Sequence, residues 1–372
     1  MKGQMSNWVG SQLGLQVNRF VDVLIIGGGP AGLATAIASR QHGLSTLVVD
    51  QDEPYIDKAC GEGLMPDAVE ALEQLGIEIP AAESAFCKGI EFISGDSDVR
   101  ADFREQAGVG VPRYVLHRLL LQRAVDLGVE FLWKSRLKTF DGRTARFEGV
   151  CEARCERVIE TRWLIGADGQ NSMVRRVTKL DQQIFFESRR FGYRQRFRVA
   201  PWTDYTQVYW GSGFQVYVTP VGPKEVCVVS LSKDPRVRLE GSVMAFPELV
   251  RRLRGAEPTS VERGGVSVMR LLRRVTRANV ALVGDASGSV DAITGHGLAL
   301  AFRQAHVLAG TLEKWTPYVY EAAHRRLILE QWLWAKMLLA LSGRETLRGA
   351  VMSALSWKPC IYARLLSAHT AG

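Results

Sequence analysis

Residues 21–32 read VDVLIIGGGPAG, and residues 45–50 read STLVVD. Val21 to Ile26 is a short β-branched run with apolar residues on both faces, the pattern of a buried parallel strand. Gly27-Gly28-Gly29-Pro30 breaks it, and a helical pattern runs from Ala31 to about His42, where Gly43 ends it. Strand, glycine turn, helix and strand in this order make a βαβ unit. In such a unit Gly27 makes the tight turn, Gly29 admits a pyrophosphate close to backbone, and Gly32 lets helix and strand pack closely. The helix opening at Pro30 and Ala31 turns its positive dipole end to phosphate oxygens. Asp50, at the end of the second strand, is placed to accept ribose hydroxyls. This pattern predicts a dinucleotide site without choosing between NAD(P) and FAD. A glycine-rich turn of some other α/β protein is the plainer reading.

Two later stretches repeat the logic of an apolar strand running into small residues and an acid. They are LIGADGQNSMVR at 164–175 and VALVGDASGSVDAITGHGL at 280–298. Gly284-Asp285 puts a carboxylate at a strand end, and Gly295-x-Gly297 opens a helix. With these three motifs in this order the chain resembles the FAD-dependent monooxygenase and geranylgeranyl-reductase superfamily, with the para-hydroxybenzoate hydroxylase fold, over about residues 20–310. The resemblance implies FAD phosphates at Gly27, Gly29, Pro30, Ala31 and Gly32, and ribose at Asp50, where the family more often has Glu. It implies ribityl and pyrophosphate contacts from Gly284 and Asp285, and a segment at Asp168 and Gly169 serving FAD and NAD(P)H. Arg113 falls where the family has an arginine ahead of R-x-x-L-D, although His117 stands in place of the Asp. A solvated arginine at a helix start is the plainer reading of Arg113. NADPH or NADH is the implied reductant.

A flavin supplies its own redox chemistry, so no catalytic triad is required and none is visible. The helix opening at Gly297 is expected to point at the flavin pyrimidine edge, stabilising negative charge there. His296 is a candidate for an added charge or hydrogen bond, or a loop histidine. Cys60-Gly61-Glu62-Gly63-Leu64 resembles a segment of geranylgeranyl reductases that passes close to the isoalloxazine. Cys60 and Glu62 are therefore candidate substrate contacts or proton donors, against a helix-entry loop with a buried thiol. The Y-x-W-x-F-P-like segment of prenyl reductases corresponds to Gln215-Val-Tyr217-Val-Thr219-Pro220, which keeps only the proline and an aromatic. Gln215, Tyr217 and Pro220 are the candidate substrate contacts. Trp332-Leu-Trp334 shares only W-x-W with the halogenase motif, in a late helix rather than mid-chain, so halogenation is rejected.

The fold class expected is α/β plus β: a Rossmann-like FAD-binding domain with an inserted, mostly antiparallel substrate sheet and a helical C-terminus. The cofactor domain is discontinuous (20–80, 110–180 and 275–310), the substrate domain takes 81–109 and 181–274, and 311–372 is helical. The 372 residues carry 47 basic and 39 acidic side chains, a net charge of +8. Disorder, collagen, coiled coil and a disulfide scaffold are excluded by composition. Six cysteines show no paired-ligand pattern; Cys151 and Cys155 lack the second pair a zinc site needs, so no metal is expected. Reduced thiols and the absence of a signal peptide in residues 1–19 suggest a cytoplasmic protein. Five arginines lie within 189–198 and eight between Arg251 and Arg277. Strand alternation puts the first group on one face, as a surface for an acidic substrate, NADPH phosphate or a carrier protein, or simply a solvated face. Charge alone is no nucleic-acid motif. The stretch Leu327 to Leu341 reads as a helix packed on the FAD domain, a lid over a hydrophobic substrate, or a membrane-surface helix. The expected activity is an FAD-dependent, NAD(P)H-using monooxygenase of a hydrophobic or aromatic small molecule. The alternatives are reduction of C=C bonds in a prenyl or polyketide-like lipid, and a non-catalytic flavoprotein acting as redox sensor or electron carrier.

Overall fold

The computed structural model describes residues 19–370 apart from 105, 150–155 and 187–188. Most of the leader and the Cys151/Cys155 pair therefore lie outside the described residues, while Arg19 and Phe20 already belong to the first strand.

The cofactor sheet is built outward from the strand Arg19–Ile26, whose inner residues are almost completely buried. It pairs in parallel with Thr46–Val49 on one side and Glu156–Gly166 on the other. Glu130–Leu132 and Val280–Leu282 extend the parallel order at the two flanks. Parallel strands need helical crossovers, and these cover the faces. The helix Pro30–Gln41 packs beside Gly297–Leu312, and Ala34, Ile37, Phe302 and Ala305 are fully buried in the core. Small alanines let these two helices approach closely. Ser135–Phe140, Thr144–Gly149 and Glu156–Gly166 form an antiparallel meander, and its last strand is the one that enters the parallel sheet.

The second large sheet is antiparallel except at one seam. Its order is Glu257–Pro258, Arg190–Arg198, Glu225–Ser232, Phe214–Gly222, Tyr205–Trp210, Gly89–Ser94 and Ser97–Asp102, with Arg263–Ser267 also paired to Arg190–Arg198. The seam is the parallel pairing of Tyr205–Trp210 with Gly89–Ser94, which joins two distant pieces of chain. Between this sheet's strands lie two short helices, Leu239–Met244 and Pro247–Leu253. Pro247 cannot donate a backbone hydrogen bond, so it starts a new helix rather than continuing one.

Three helices close the chain: Pro317–Ser342, Glu345–Trp357 and Pro359–Thr370. The first packs partly on the cofactor core, where Tyr320 is fully buried and donates its hydroxyl to the Leu282 carbonyl at 2.6 Å. Its later half and the other two helices pack instead on the second sheet: Met352, Leu355, Tyr362 and Leu366 share a core with Ile90, Val99, Val208 and Trp210.

Candidate active site

A cavity of about 1230 Å³ opens at the C-terminal ends of the parallel strands and runs under the C-terminal helices. A pocket for one drug-sized ligand takes roughly 300–1,000 Å³, so there is room for a large cofactor and a substrate together. One end is lined by Asp50, Ser135 and Arg136, and the middle by Gly29, Arg113, Asp168, Gly169 and Asp285. Cys60, Gly63, Tyr217, Thr219, Gly295 and Gly297 follow, and the far end is apolar, with Ile90, Phe92, Val208, Leu338, Leu355 and Leu366.

The glycine turn shows why each position has no side chain. Gly27 has φ +113°, and a Cβ there would lie 2.3 Å from the Ala167 carbonyl oxygen. At Gly32 a Cβ would lie 1.8 Å from the Gly27 carbonyl oxygen, so helix and strand touch backbone to backbone. Gly29 differs: no protein atom lies within 4 Å of a Cβ built there, and the residue faces the cavity at the helix N-terminus. That space, with free helix N–H groups behind it, suits a phosphate. Pro30 and Ala31 line the same wall. The Asp50 carboxylate accepts the Gly28 N–H and, at 2.8 Å, the Asp52 N–H. Burial pushes its pKa up, against those two hydrogen bonds.

Arg113 is 8 % exposed, and its Nε has no partner. Burial lowers its pKa, while Cys60, Glu62, Asp285 and Asp57 oppose that shift. Asp285 is exposed to the cavity it lines; desolvation by the surrounding protein raises its pKa and Arg113 pulls it down. A cofactor pyrophosphate would meet a buried, incompletely partnered guanidinium here, so the residues present fit a dinucleotide. Gly284 has φ +57°, and a Cβ there would press on Ala31 at 2.7 Å, which ties this loop to the first helix.

Asp168 lines the cavity, but its carboxylate is engaged. It accepts the Ser172 hydroxyl and the N–H groups of Met173 and Val174, capping the short helix Met173–Val177. Arg175, which ends the 164–175 stretch and was not among the expected site residues, is 3 % exposed. It donates to the Ala286 carbonyl at 3.0 Å and the Gln170 carbonyl at 2.7 Å, and pairs with Asp181 at 2.8 Å. It therefore pins the 168–173 loop to the 284–286 loop. His117 donates from Nε2 to the Gly28 carbonyl at 2.9 Å, so the histidine that departs from the family pattern braces the glycine turn.

Several candidates sit elsewhere than expected. Cys60 is half-exposed on the cavity wall, but Glu62 is 2 % exposed and off the wall. Its Oε1 accepts the Arg196 Nη1 at 2.8 Å and the Arg113 backbone N–H at 3.0 Å. Arg194 pairs with Asp57 and lies 3.8 Å from Glu62. The expected arginine surface is thus corrected. Arg190, Arg194 and Arg196 are buried and paired with carboxylates, because alternation turned this face inward; Arg198 is exposed and paired with Glu257. His296 is 1 % exposed and turned from the cavity. Its Nδ1 donates to the Thr294 carbonyl at 3.0 Å, and its Nε2 lies 3.7 Å from Asp67. Gln215 is fully buried, bonded to Arg190 and to Ser342 at 2.6 Å. Neither it nor Pro220 is on the cavity wall, whereas Tyr217 and Thr219 are. Residues of the last two helices, among them Leu355, Leu366 and His369, also line the cavity, and no motif signalled them.

Burial holds His117 down at a pKa of about 4 and His324 at about 3, both below the usual 6.5. Both are neutral in the folded protein, so their contribution is whole above pH 6.5 and is lost as pH falls through the folded values. The melting temperature is therefore expected to fall between pH 6.5 and about 4, and His117→Gln to flatten that slope in thermal scans. An unchanged slope in the variant would remove His117 from the account.

The family model described as "FAD binding domain" matches residues 20–317. A menaquinone reductase of Mycobacterium tuberculosis is 25% identical over 321 residues, 80% of this chain and 78% of that one. A digeranylgeranylglycerophospholipid reductase of Thermoplasma volcanium is 28% identical, over 75% of this chain and 74% of that one. The ubiquinone hydroxylase UbiL of Rhodospirillum rubrum is 24% identical, over 79% and 73%. Among solved structures, a flavoprotein/dehydrogenase of Cytophaga hutchinsonii superposes with a TM-score of 0.81 at 20% identity, covering 94% of this chain and 92% of that one. The flavin-dependent brominase Bmp2 gives 0.79 at 19% identity, covering 95% and 94%. At these identities the structural likeness shows the fold alone. The matched span takes in all three glycine-and-acid motifs, and on that ground the chain belongs to the FAD binding domain family and is an FAD-dependent oxidoreductase.

Proposed function

We propose that the enzyme uses NAD(P)H to reduce a C=C bond in a hydrophobic, isoprenoid-like substrate. The observation that carries this is the pairing of a thiol, Cys60, with a cavity whose far end is apolar. FAD, when bound, supplies hydride chemistry. The chain's residues do the rest. The apolar wall formed by Ile90, Phe92, Val208 and Leu338 excludes water and aligns an apolar chain. The N-terminus of Gly297–Leu312, on the cavity wall, offers free N–H groups to negative charge in the cavity. Cys60 holds a proton at Sγ, and its transfer to one carbon completes saturation of a bond whose other carbon has taken up a hydride. The menaquinone and digeranylgeranylglycerophospholipid reductases among the relatives support this reading.

Hydroxylation, the activity placed first from sequence, is the second reading, favoured by the ubiquinone hydroxylase relative. It leaves Cys60 without a task. A thiol facing a compartment where oxygen is activated is also open to oxidation.

NAD(P)H oxidation with an isoprenoid alkene, followed with and without oxygen, separates the two. Anaerobic turnover that Cys60→Ser lowers by ~10²–10⁴-fold, with flavin still bound, is the expected result. Turnover that requires oxygen and ignores Cys60→Ser would establish hydroxylation instead. No NAD(P)H oxidation with any substrate would leave a redox sensor or electron carrier.

A further inference from the structure

Two helices that line the cavity also carry apolar residues outward. On Pro317–Ser342, Leu329, Leu333 and Met337 recur every fourth residue and are exposed; on Pro359–Thr370, Ile361 and Leu365 do the same. Residues four apart share a helix face. The Trp334 and His369 rings touch at 4.9 Å, so the two stripes lie side by side. Trp357, between them in sequence, is 85% exposed, the reverse of what its size favours. Met337 and Leu365 are both exposed and both on the cavity wall, so the apolar patch is continuous with the cavity mouth.

Charge identifies what covers it. Residues 317–370 hold seven Lys and Arg against three Asp and Glu, a balance of 7 − 3 = +4, half of the chain's +8. One of the three acids, Glu321, is occupied by the backbone N–H groups of Val275 and Thr276. Arg325, Arg326, Arg344, Lys358 and Arg364 are exposed. Leu and Trp on one face with basic residues around it is the composition of a helix lying in a lipid interface. Two copies of so basic a face repel, whereas an anionic surface attracts both. Among the described residues no helix is long and apolar enough to cross a membrane, so the helices would lie along it.

We propose that this face docks on an anionic lipid bilayer, and that the mouth between Met337 and Leu365 receives its substrate from the hydrocarbon layer. The second half rests on the hydrophobic-substrate reading above; the first does not, and is measured without substrate. The test is flotation of the FAD-loaded protein with vesicles of phosphatidylglycerol mixed into phosphatidylcholine, and with phosphatidylcholine alone. The expected result is at least ~10-fold more protein on the anionic vesicles, lost in high salt. Leu333→Glu combined with Trp357→Ser, neither on the cavity wall, is expected to abolish flotation while flavin absorbance and melting temperature stay at wild-type values. Failure of the wild type to float, or equal flotation on both vesicles, would overturn the proposal. So would a variant that floats like wild type. A dimer that the double variant converts to monomer, with no vesicle binding, would assign the face to a second copy. Flotation without any alkene turnover would sink the reaction reading and leave the docking surface standing.

Discussion

Gly29→Val is expected to yield a folded protein that purifies colourless. Nothing lies within 4 Å of the Cβ position, and the backbone there, φ −74° and ψ 179°, is open to any residue. The new side chain therefore meets no protein atom and intrudes only on the space before the helix N-terminus. Flavin affinity should drop by at least ~100-fold, about 2.7 kcal/mol, with the melting curve of the apoprotein nearly unchanged. Gly32→Ala is the informative contrast. Its Cβ would fall 1.8 Å from the Gly27 carbonyl oxygen, so it should damage folding itself. Absorbance of the purified proteins and their far-UV thermal scans read both outcomes. A yellow Gly29→Val protein would remove the cradle from the cofactor site.

Glu62→Ala should produce the largest loss of stability from a single side chain outside the turn. Removing this carboxylate leaves Arg194 and Arg196 buried with Asp57 as their main remaining counter-charge, and takes away the acceptor of the Arg113 N–H. Breaking a buried pair on one side costs about 3–5 kcal/mol. Denaturant unfolding measures it. Glu62→Gln keeps an acceptor and the side-chain volume and should cost less. The pair of variants also tests the role first expected of Glu62. Were it a proton donor to substrate, Glu62→Gln would abolish turnover with stability intact. A structural anchor gives the opposite order, with stability lost and residual turnover retained by the folded fraction.

What was legible in the sequence was local. The turn at Gly27–Gly32 declares itself because strand, glycines and helix are contiguous, and the clashes at Gly27 and Gly32 explain why only glycine serves. Asp285 and Gly284 were legible for the same reason. What was hidden depends on residues far apart. Glu62 looked like a catalytic acid because nothing near it in sequence reveals Arg196, 134 positions on, as its partner. The arginines of 190–196 looked like a surface because alternation tells which side chains share a face, not which face is buried. Gln215 and Pro220 were matched by segment position; Pro220 is one step of strand alternation behind Thr219 on the wall, while Gln215, on the same face as Tyr217, is taken up by Arg190 and Ser342. His296 was placed by its neighbours Gly295 and Gly297, which do reach the wall while its ring turns back to Asp67. The last two helices carry no motif at all; their place over the cavity comes from packing on Ile90 and Val208.

The parallel seam between Gly89–Ser94 and Tyr205–Trp210 has a consequence for how the molecule acquires its shape. The side chains of Glu91 and Gln207 meet across it at 2.7 Å from positions 116 residues apart. The second sheet is therefore not a bead that can close as it leaves the ribosome. Its early strands must wait, with one edge unpaired, while the cofactor strand Glu156–Gly166 is laid down between them and their partners. Pairings of such long span are slow, and the waiting edge is exposed to other chains. A fragment cut anywhere between residues 102 and 205 should not fold on either side of the cut, and recombination of this sheet between relatives has to exchange two pieces of chain at once.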